Sequence, residues 1–137
     1  MSQYKSKNKG RFAGIPHKVM EHPDYYNLSG NAIKLLVELA KQYNGKNNGK
    51  LCAVFSQLKM RGWNSQGTLD RAKKELLKTN LIAITKINTF GQNGKSPMYF
   101  ALTWNNIDEI NGFEMDVKAT TKPIRQFSIE NFDRKAA

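Results

Sequence analysis

Residues 64 to 78 carry polar side chains that can exchange hydrogen bonds with the edges of nucleic-acid bases. Four uncharged side chains that offer donor or acceptor groups come first: Asn64, Ser65, Gln66 and Thr68. Arg71 follows, and its guanidinium forms a bidentate fork that fits guanine or phosphate. Lys74 and Lys78 continue at helical spacing, where ammonium groups suit backbone phosphates. These residue types in this order are the chemistry needed to read and grip DNA.

Further cations lie outside this stretch and extend the predicted DNA-binding set. Residues 1–14 contain no acid and read as a flexible basic arm, because so polar a segment cannot bury enough surface to fold alone. Such an arm could follow a neighbouring minor groove. The candidate contacts from the arm and from a later pair of strands are Lys5, Lys7, Lys9, Arg11, Lys86 and Lys95.

The overall charge of the chain favours a polyanionic partner. Its 137 residues include 22 Lys and Arg against 11 Asp and Glu, which gives a formal net charge of +11. Such an excess attracts DNA, RNA or an anionic membrane surface. No apolar run approaches 18 residues, so we expect no membrane span. Cys52 is the single cysteine, which excludes an intrachain disulfide and fits a reducing, cytoplasmic location.

The first long helix is predicted to begin after Ser29, which can cap it, with Leu28 packing on Ile33 as a hydrophobic staple. Its apolar residues recur at helical spacing and form one buried face: Ala32, Leu35, Leu36, Leu39, Ala40 and Tyr43. The Asn- and Gly-rich residues 44–50 end it, and we expect a solvated turn there that carries Lys46 and Lys50.

A short strand, a short helix and a longer helix are predicted to follow. Residues 51–55 read as an edge strand, and Ser56 is expected to cap a helix with Phe55 and Met60 in staple positions. Gly62 ends that helix, and Trp63 is expected to anchor the turn in the core. The third helix runs over about 65–79. Its buried stripe is Leu69, Ala72, Leu76 and Leu77.

The remaining segments complete the predicted domain, which spans residues 15–112. Strands at 81–88 and 98–104 form a hairpin whose polar tip carries Lys95. Residues 15–28 are expected to hold a short helical turn that Pro23 interrupts, and residues 105–112 one helical turn. Residues 113–137 are expected to be an extended tail with three aromatic or aliphatic residues that could dock: Phe127, Ile129 and Phe132.

This order of elements is typical of a winged helix-turn-helix, and the residues themselves carry a resemblance. LSGNAIKLLVELAKQYNGKNNGKL followed by SQLKMRGWNSQGTLDRAKKELLKTNLI resembles small winged-helix DNA-binding proteins of phages, plasmids and mobile elements. Plasmid replication initiator domains are relatives of that group, although a typical initiator has two such domains. The resemblance covers roughly residues 28–104. It implies an α+β fold with a three-helix core and a β-hairpin wing, whose third helix enters the major groove.

The sequence therefore favours a double-stranded DNA-binding protein that acts in transcription or replication control, and that binds DNA as a homodimer. Two alternatives stay open. One is a non-specific or single-stranded nucleic-acid accessory protein, in which exposed aromatic rings stack on bases. Its candidate rings are Tyr4, Tyr25, Tyr26 and Phe90, although Tyr25 and Tyr26 are expected to pack on the core. The other is an interaction module that binds a host protein, such as polymerase, through the winged domain.

Enzymatic chemistry finds little support in the residues. His17 and His22 are the only histidines, and their sole acidic neighbours, Glu21 and Asp24, lack a recognised metal-ligand spacing. No phosphate-cradling glycine-rich loop and no nucleophile–histidine–acid set stands out. We therefore predict no catalytic residues, no metal and no cofactor.

Overall fold

The computed structural model describes residues 10–87, 98–125 and 127, and over these residues the chain is an α+β domain. Two short helices, α1 (His17–Met20) and α2 (Pro23–Tyr26), precede the long helix α3 (Gly30–Gln42). Strand β1 (Leu51–Cys52) leads into helix α4 (Phe55–Leu58) and a 3-10 turn (Lys59–Arg61). The last elements are helix α5 (Gln66–Leu77) and strands β2 (Ile82–Ile87) and β3 (Met98–Leu102).

Both long helices begin where local capping signals predict. The Ser29 hydroxyl accepts a hydrogen bond from the Ala32 backbone N–H at 3.2 Å, and the Ser65 hydroxyl accepts one from Thr68 at 3.1 Å. Each bond satisfies one of the backbone donors that a helix start leaves unpaired. Helix α5 ends at Leu77, slightly earlier than the predicted boundary near residue 79.

The predicted start of the short helix is wrong. Val54, not Ser56, is the residue before α4, and no side chain caps it. The side chain of Gln42 holds the end of β1, two residues before Val54: its amide donates to the Cys52 carbonyl at 2.7 Å and its oxygen accepts from the Cys52 N–H at 2.9 Å. The predicted staple is absent too, since Met60 is 84% exposed.

A three-stranded antiparallel sheet in the order β1–β3–β2 closes the domain. Leu51 and Ile84 both lie opposite Phe100, which places these three side chains on the core face. The antiparallel pairing of β2 with β3 and the edge position of β1 are as predicted, but β1 covers only the first two residues of the predicted strand 51–55. A register shift between Ile84 and Lys86 leaves Thr85 buried, with its hydroxyl donating to the Gly49 carbonyl. The predicted wing tip with Lys95 lies outside the described residues.

The core joins the inner faces of α3 and α5 to the sheet. As predicted, Trp63 is buried, and its ring lies at the turn between α4 and α5. The predicted buried stripe of α5 is confirmed for Leu69, Ala72 and Leu76. Tyr25 packs against the core, but the same prediction for Tyr26 is wrong, since Tyr26 is 58% exposed.

The loop after α3 exposes residues 44–46 and Lys50 to solvent, as predicted, but it is also anchored through the fully buried Asn48. Its amide donates to the carbonyls of Leu102 at 3.0 Å and Asn106 at 2.8 Å, and its oxygen accepts from the Leu102 N–H at 2.7 Å. The Asp108 N–H donates to the Asn48 carbonyl. The helical turn predicted for residues 105–112 is therefore wrong, because Asn48 takes the backbone groups that a helix would use.

The segment after residue 112 packs on the domain at several points without forming a helix or strand over its described residues. Asp116 covers the free edge of β2: its N–H donates to the Thr85 carbonyl, and its carboxylate accepts from the Ile87 N–H. Phe127 is buried beside His22, as the predicted docking requires, while Ile129 and Phe132 lie outside the described residues. Over the residues described, no helix has the length and apolar character to cross a membrane.

Candidate nucleic-acid interface

The turn before α5 is fixed by a left-handed glycine and by a lysine from α3. Gly62 has φ 93°, a conformation that favours glycine. The Lys34 ammonium donates to the Gly62 carbonyl at 3.1 Å and lies 5.1 Å from the centre of the Trp63 ring. Lys34 therefore ties the turn to α3 by a hydrogen bond and a cation–π contact.

An ion pair one helical turn further along α3 holds the same turn. Arg61 Nε donates to both carboxylate oxygens of Glu38, at 2.8 and 3.0 Å. Glu38 is buried. Buried acids are almost always paired, and Arg61 is the partner of Glu38. The charges of Lys34 and Arg61 thus serve the fold, and the direction in which α5 leaves the turn is fixed by α3.

The predicted base-reading residues lie at the start of α5, where part of their hydrogen-bonding capacity is used within the helix. The Ser65 hydroxyl caps α5 and donates to the Thr68 hydroxyl at 2.8 Å, which also accepts from Arg71 at 3.3 Å. Gln66 donates to Asp70 at 3.0 Å. Asn64 and Gln66 are exposed at the helix start. The side chains of Ser65 and Thr68 therefore shape the helix start and orient Arg71.

A line of cations runs along the side of α5 opposite its buried stripe. Gly67, Arg71, Lys74 and Lys78 are spaced i, i+4, i+7 and i+11, so they share one face. All four are exposed. Within the described residues, none of the three cations forms an ion pair, whereas the neighbouring Lys73 lies 3.8 Å from Asp70. This face presents three positive charges, and the acids Asp70 and Glu75 lie at its borders.

Lys86 lies on the sheet, where an aromatic residue from the C-terminal segment holds it. Its ammonium lies 5.1 Å from the centre of the Phe113 ring, and Lys50 contacts the same ring at 5.2 Å. Phe113 packs edge-on against Tyr99 at 4.9 Å. The predicted contact Lys86 thus gains Lys50 as a neighbour. No pattern in the sequence indicates this cluster, because Phe113 lies within the segment predicted to be an extended tail.

The remaining predicted contacts belong to the arm and the wing tip. Arg11 is exposed and lies near the end of α3, beside Lys41 and Tyr43. The others lie outside the described residues: Lys5, Lys7, Lys9 and Lys95.

Several acids are engaged in holding the fold, which leaves basic side chains to dominate the surface of α5. Glu75 shows this clearly, since its carboxylate accepts from both the backbone N–H and the hydroxyl of Ser29, each at 2.7 Å. These two hydrogen bonds lower the pKa of Glu75 below its ordinary value. Asp24 likewise accepts from the Asn80 N–H at 2.9 Å.

Two other kinds of chemistry, metal binding and a reactive thiol, find little support in the described part of the chain. No group of three or more His, Cys, Asp or Glu side chains could hold a metal ion there. Burial raises the pKa of the Cys52 thiol, which disfavours the reactive thiolate. Comparison of the chain with known protein families, curated proteins and solved structures found no match.

Proposed function

We propose that this protein is a winged helix-turn-helix protein of the mobile-element type, which binds double-stranded DNA and acts in transcription or replication control. The observation that carries the proposal is the exposed cationic face of α5, formed by Gly67, Arg71, Lys74 and Lys78, whose three cations form no ion pair within the described residues. The order of elements supports the proposal: α4, a turn that Lys34 of α3 holds, α5, and then the paired strands β2 and β3. In a helix-turn-helix, a helix held in this way enters the major groove with its exposed face.

In this proposal the start of α5 reads bases and its remainder grips phosphate. Asn64, Gln66 and Arg71 are the base-reading residues, with Arg71 suited to guanine. The side chains of Ser65 and Thr68 orient Arg71, as their hydrogen bonds indicate. Gly67 has no side chain beyond Cα, so the α5 backbone can approach a base edge closely.

The proposed phosphate contacts are Lys74 and Lys78 along α5 and Lys86 on β2, and such contacts position a protein without reading sequence. We propose further phosphate contacts from the arm and the wing tip, through Lys95, Lys5, Lys7, Lys9 and Arg11. A lone winged helix covers few base pairs, so we propose that two copies bind a repeated site. The protein would act in the cytoplasm, on DNA of the host or the element.

The test begins with genome-wide binding to define a site, followed by titration of specific and scrambled duplexes at fixed salt. Arg71→Ala should weaken specific binding by roughly 1–3 kcal/mol and random binding far less. Lys78→Ala should weaken both about equally. If both variants keep the wild-type ratio of specific to random affinity, α5 does not read bases. Binding that appears only with a host protein present would favour a protein-interaction module instead.

A further inference from the structure

A cleft lies at the root of the N-terminal arm, where the chain passes the end of α3. It has a volume of about 270 Å³ and is lined by Arg11, Phe12, Ala13, Lys41 and Tyr43. Two of these residues are cations and two carry aromatic rings, and no carboxylate is among them. This combination differs from the α5 face, which offers cations and amides but no aromatic ring.

Phe12 is the residue of the cleft that most needs an explanation. Its side chain is 74% exposed, although it is large and wholly apolar. Burying apolar surface contributes about 25 cal/mol of favourable free energy per Å², so the exposed Phe12 ring favours a flat apolar partner. The two cations beside it favour a partner that also carries negative charge. A nucleotide has both properties, because every base has a π face and every link has a phosphate.

The cleft lies near the proposed DNA-binding surface. Lys34, Glu38 and Lys41 share one face of α3, at spacing i, i+4 and i+7. The first two hold the turn before α5, and the third lines the cleft. Seven residues of helix rise roughly 10 Å, so a nucleic-acid strand at the turn can reach the cleft within a few nucleotides.

We infer that this cleft binds one unpaired nucleotide of a nucleic-acid strand, with the base stacked on Phe12 and the phosphate held by Arg11 and Lys41. The cleft is slightly smaller than the ~300 Å³ at which pockets for drug-sized ligands begin, which suits a single nucleotide unit. The inference goes beyond the proposed function, because a duplex held in the major groove by α5 needs no unpaired base.

The experiment uses the full chain and a fluorescently labelled short oligo-dT, compared with an oligonucleotide of equal length whose central nucleotides are abasic. Phe12→Ala should lower oligo-dT affinity roughly tenfold, the effect of losing one base stack. Phe12→Trp should restore it. Lys41→Gln should also weaken binding, whereas Lys46→Gln, an exposed lysine outside the cleft, is the matched control. Phe12 is exposed, so its replacement should leave the circular dichroism spectrum unchanged.

Equal binding of oligo-dT by wild type and Phe12→Ala would overturn the inference, and so would equal affinity for the abasic strand. Its failure can be distinguished from failure of the proposed function by Arg71→Ala, which should lose duplex specificity and keep oligo-dT binding. Oligo-dT binding that depends on Phe12 in a protein with no duplex preference would sustain this inference and refute the other.

Discussion

Helices α3 and α5 both bury one face, but their outward faces use charge in opposite ways. On α3, Lys34 and Glu38 point back to the turn before α5 and each has a partner there. Along α5, Arg71, Lys74 and Lys78 form no ion pair within the described residues, although the charge of Lys78 acts on nearby Glu75. Each helix carries several charged residues outside its apolar stripe, so composition alone does not separate them.

The difference shows that a cation's partners, rather than its presence, indicate its role. A lysine that already donates to a carbonyl and covers a ring gains little from a phosphate. A solvent-exposed lysine without a protein partner gives up only water and counterions when it contacts a phosphate, and the release of counterions from the nucleic acid favours the complex. Fold stability is therefore assigned to Lys34 and Glu38 of α3, and partner binding to Arg71, Lys74 and Lys78 along α5.

The largest effect should come from the buried side of α5. Leu76 is fully buried, so Leu76→Ala should lower the free energy of unfolding by roughly 2–5 kcal/mol through the cavity that it leaves. Urea denaturation followed by fluorescence measures this. Lys74→Ala, on the opposite face, should change stability by no more than about 0.5 kcal/mol. A large loss from Lys74→Ala would mean that the outer face serves the fold.

The sequence predicted those parts of the fold whose signals are local. Ser29 and Ser65 cap helices through residues three positions away, and Gly62 adopts the left-handed conformation expected where a helix ends. The buried stripes followed from helical period, and the α+β class followed from the order of elements. The outward face of α5 could be predicted in the same way, because it is the complement of its buried stripe.

What the sequence could not predict depends on residues distant in the chain. Arg61 pairs with Glu38 across 23 residues, and Asn48 binds Leu102 across 54. No periodicity or spacing in the sequence indicates such contacts. The local pattern of residues 105–112 therefore predicts a helical turn, whereas Asn48 binds their backbone groups. The contacts of Lys50 and Lys86 with the Phe113 ring could not be predicted for the same reason.

The next effect concerns the ion pair between Glu38 of α3 and Arg61, which holds the turn before α5. Glu38→Gln keeps the size of the side chain but removes the charge that Arg61 contacts, and Arg61 is partly exposed. We expect the free energy of unfolding to fall by about 1 kcal/mol. Specific DNA affinity should fall as well, because the turn that aims α5 loosens. Glu21→Gln, at an exposed position, is the control and should change neither quantity measurably.

A smaller effect separates the two kinds of lysine by their salt dependence. If Lys78 contacts phosphate, Lys78→Gln should reduce the slope of log affinity against log salt by about 0.9. Lys34→Gln should leave that slope unchanged, because Lys34 is engaged with Gly62 and Trp63. Fluorescence anisotropy over a range of salt concentrations measures both. An equal change in slope for the two variants would remove the distinction between the helices.

The smallest effect concerns the contact that joins the two helices, between Glu75 of α5 and Ser29 at the start of α3. The hydrogen bonds from Ser29 lower the pKa of Glu75 in the folded protein. Below its ordinary value of about 4.3, the unfolded chain therefore binds more protons at this position than the folded one. The stability that the contact contributes is complete above that pH and is lost as the pH falls through the lowered folded value.

Glu75→Gln should remove this part of the pH dependence, so the midpoints of thermal unfolding of wild type and variant should converge as the pH is lowered. The carboxylate is exposed and screened by solvent, so the effect should be small. Ser29→Ala removes the hydroxyl but keeps the backbone donor, and should therefore retain part of the pH dependence. If Glu75→Gln unfolds with the same pH profile as wild type, the carboxylate does not link the helices, and α5 is positioned by core packing and by the brace on the turn.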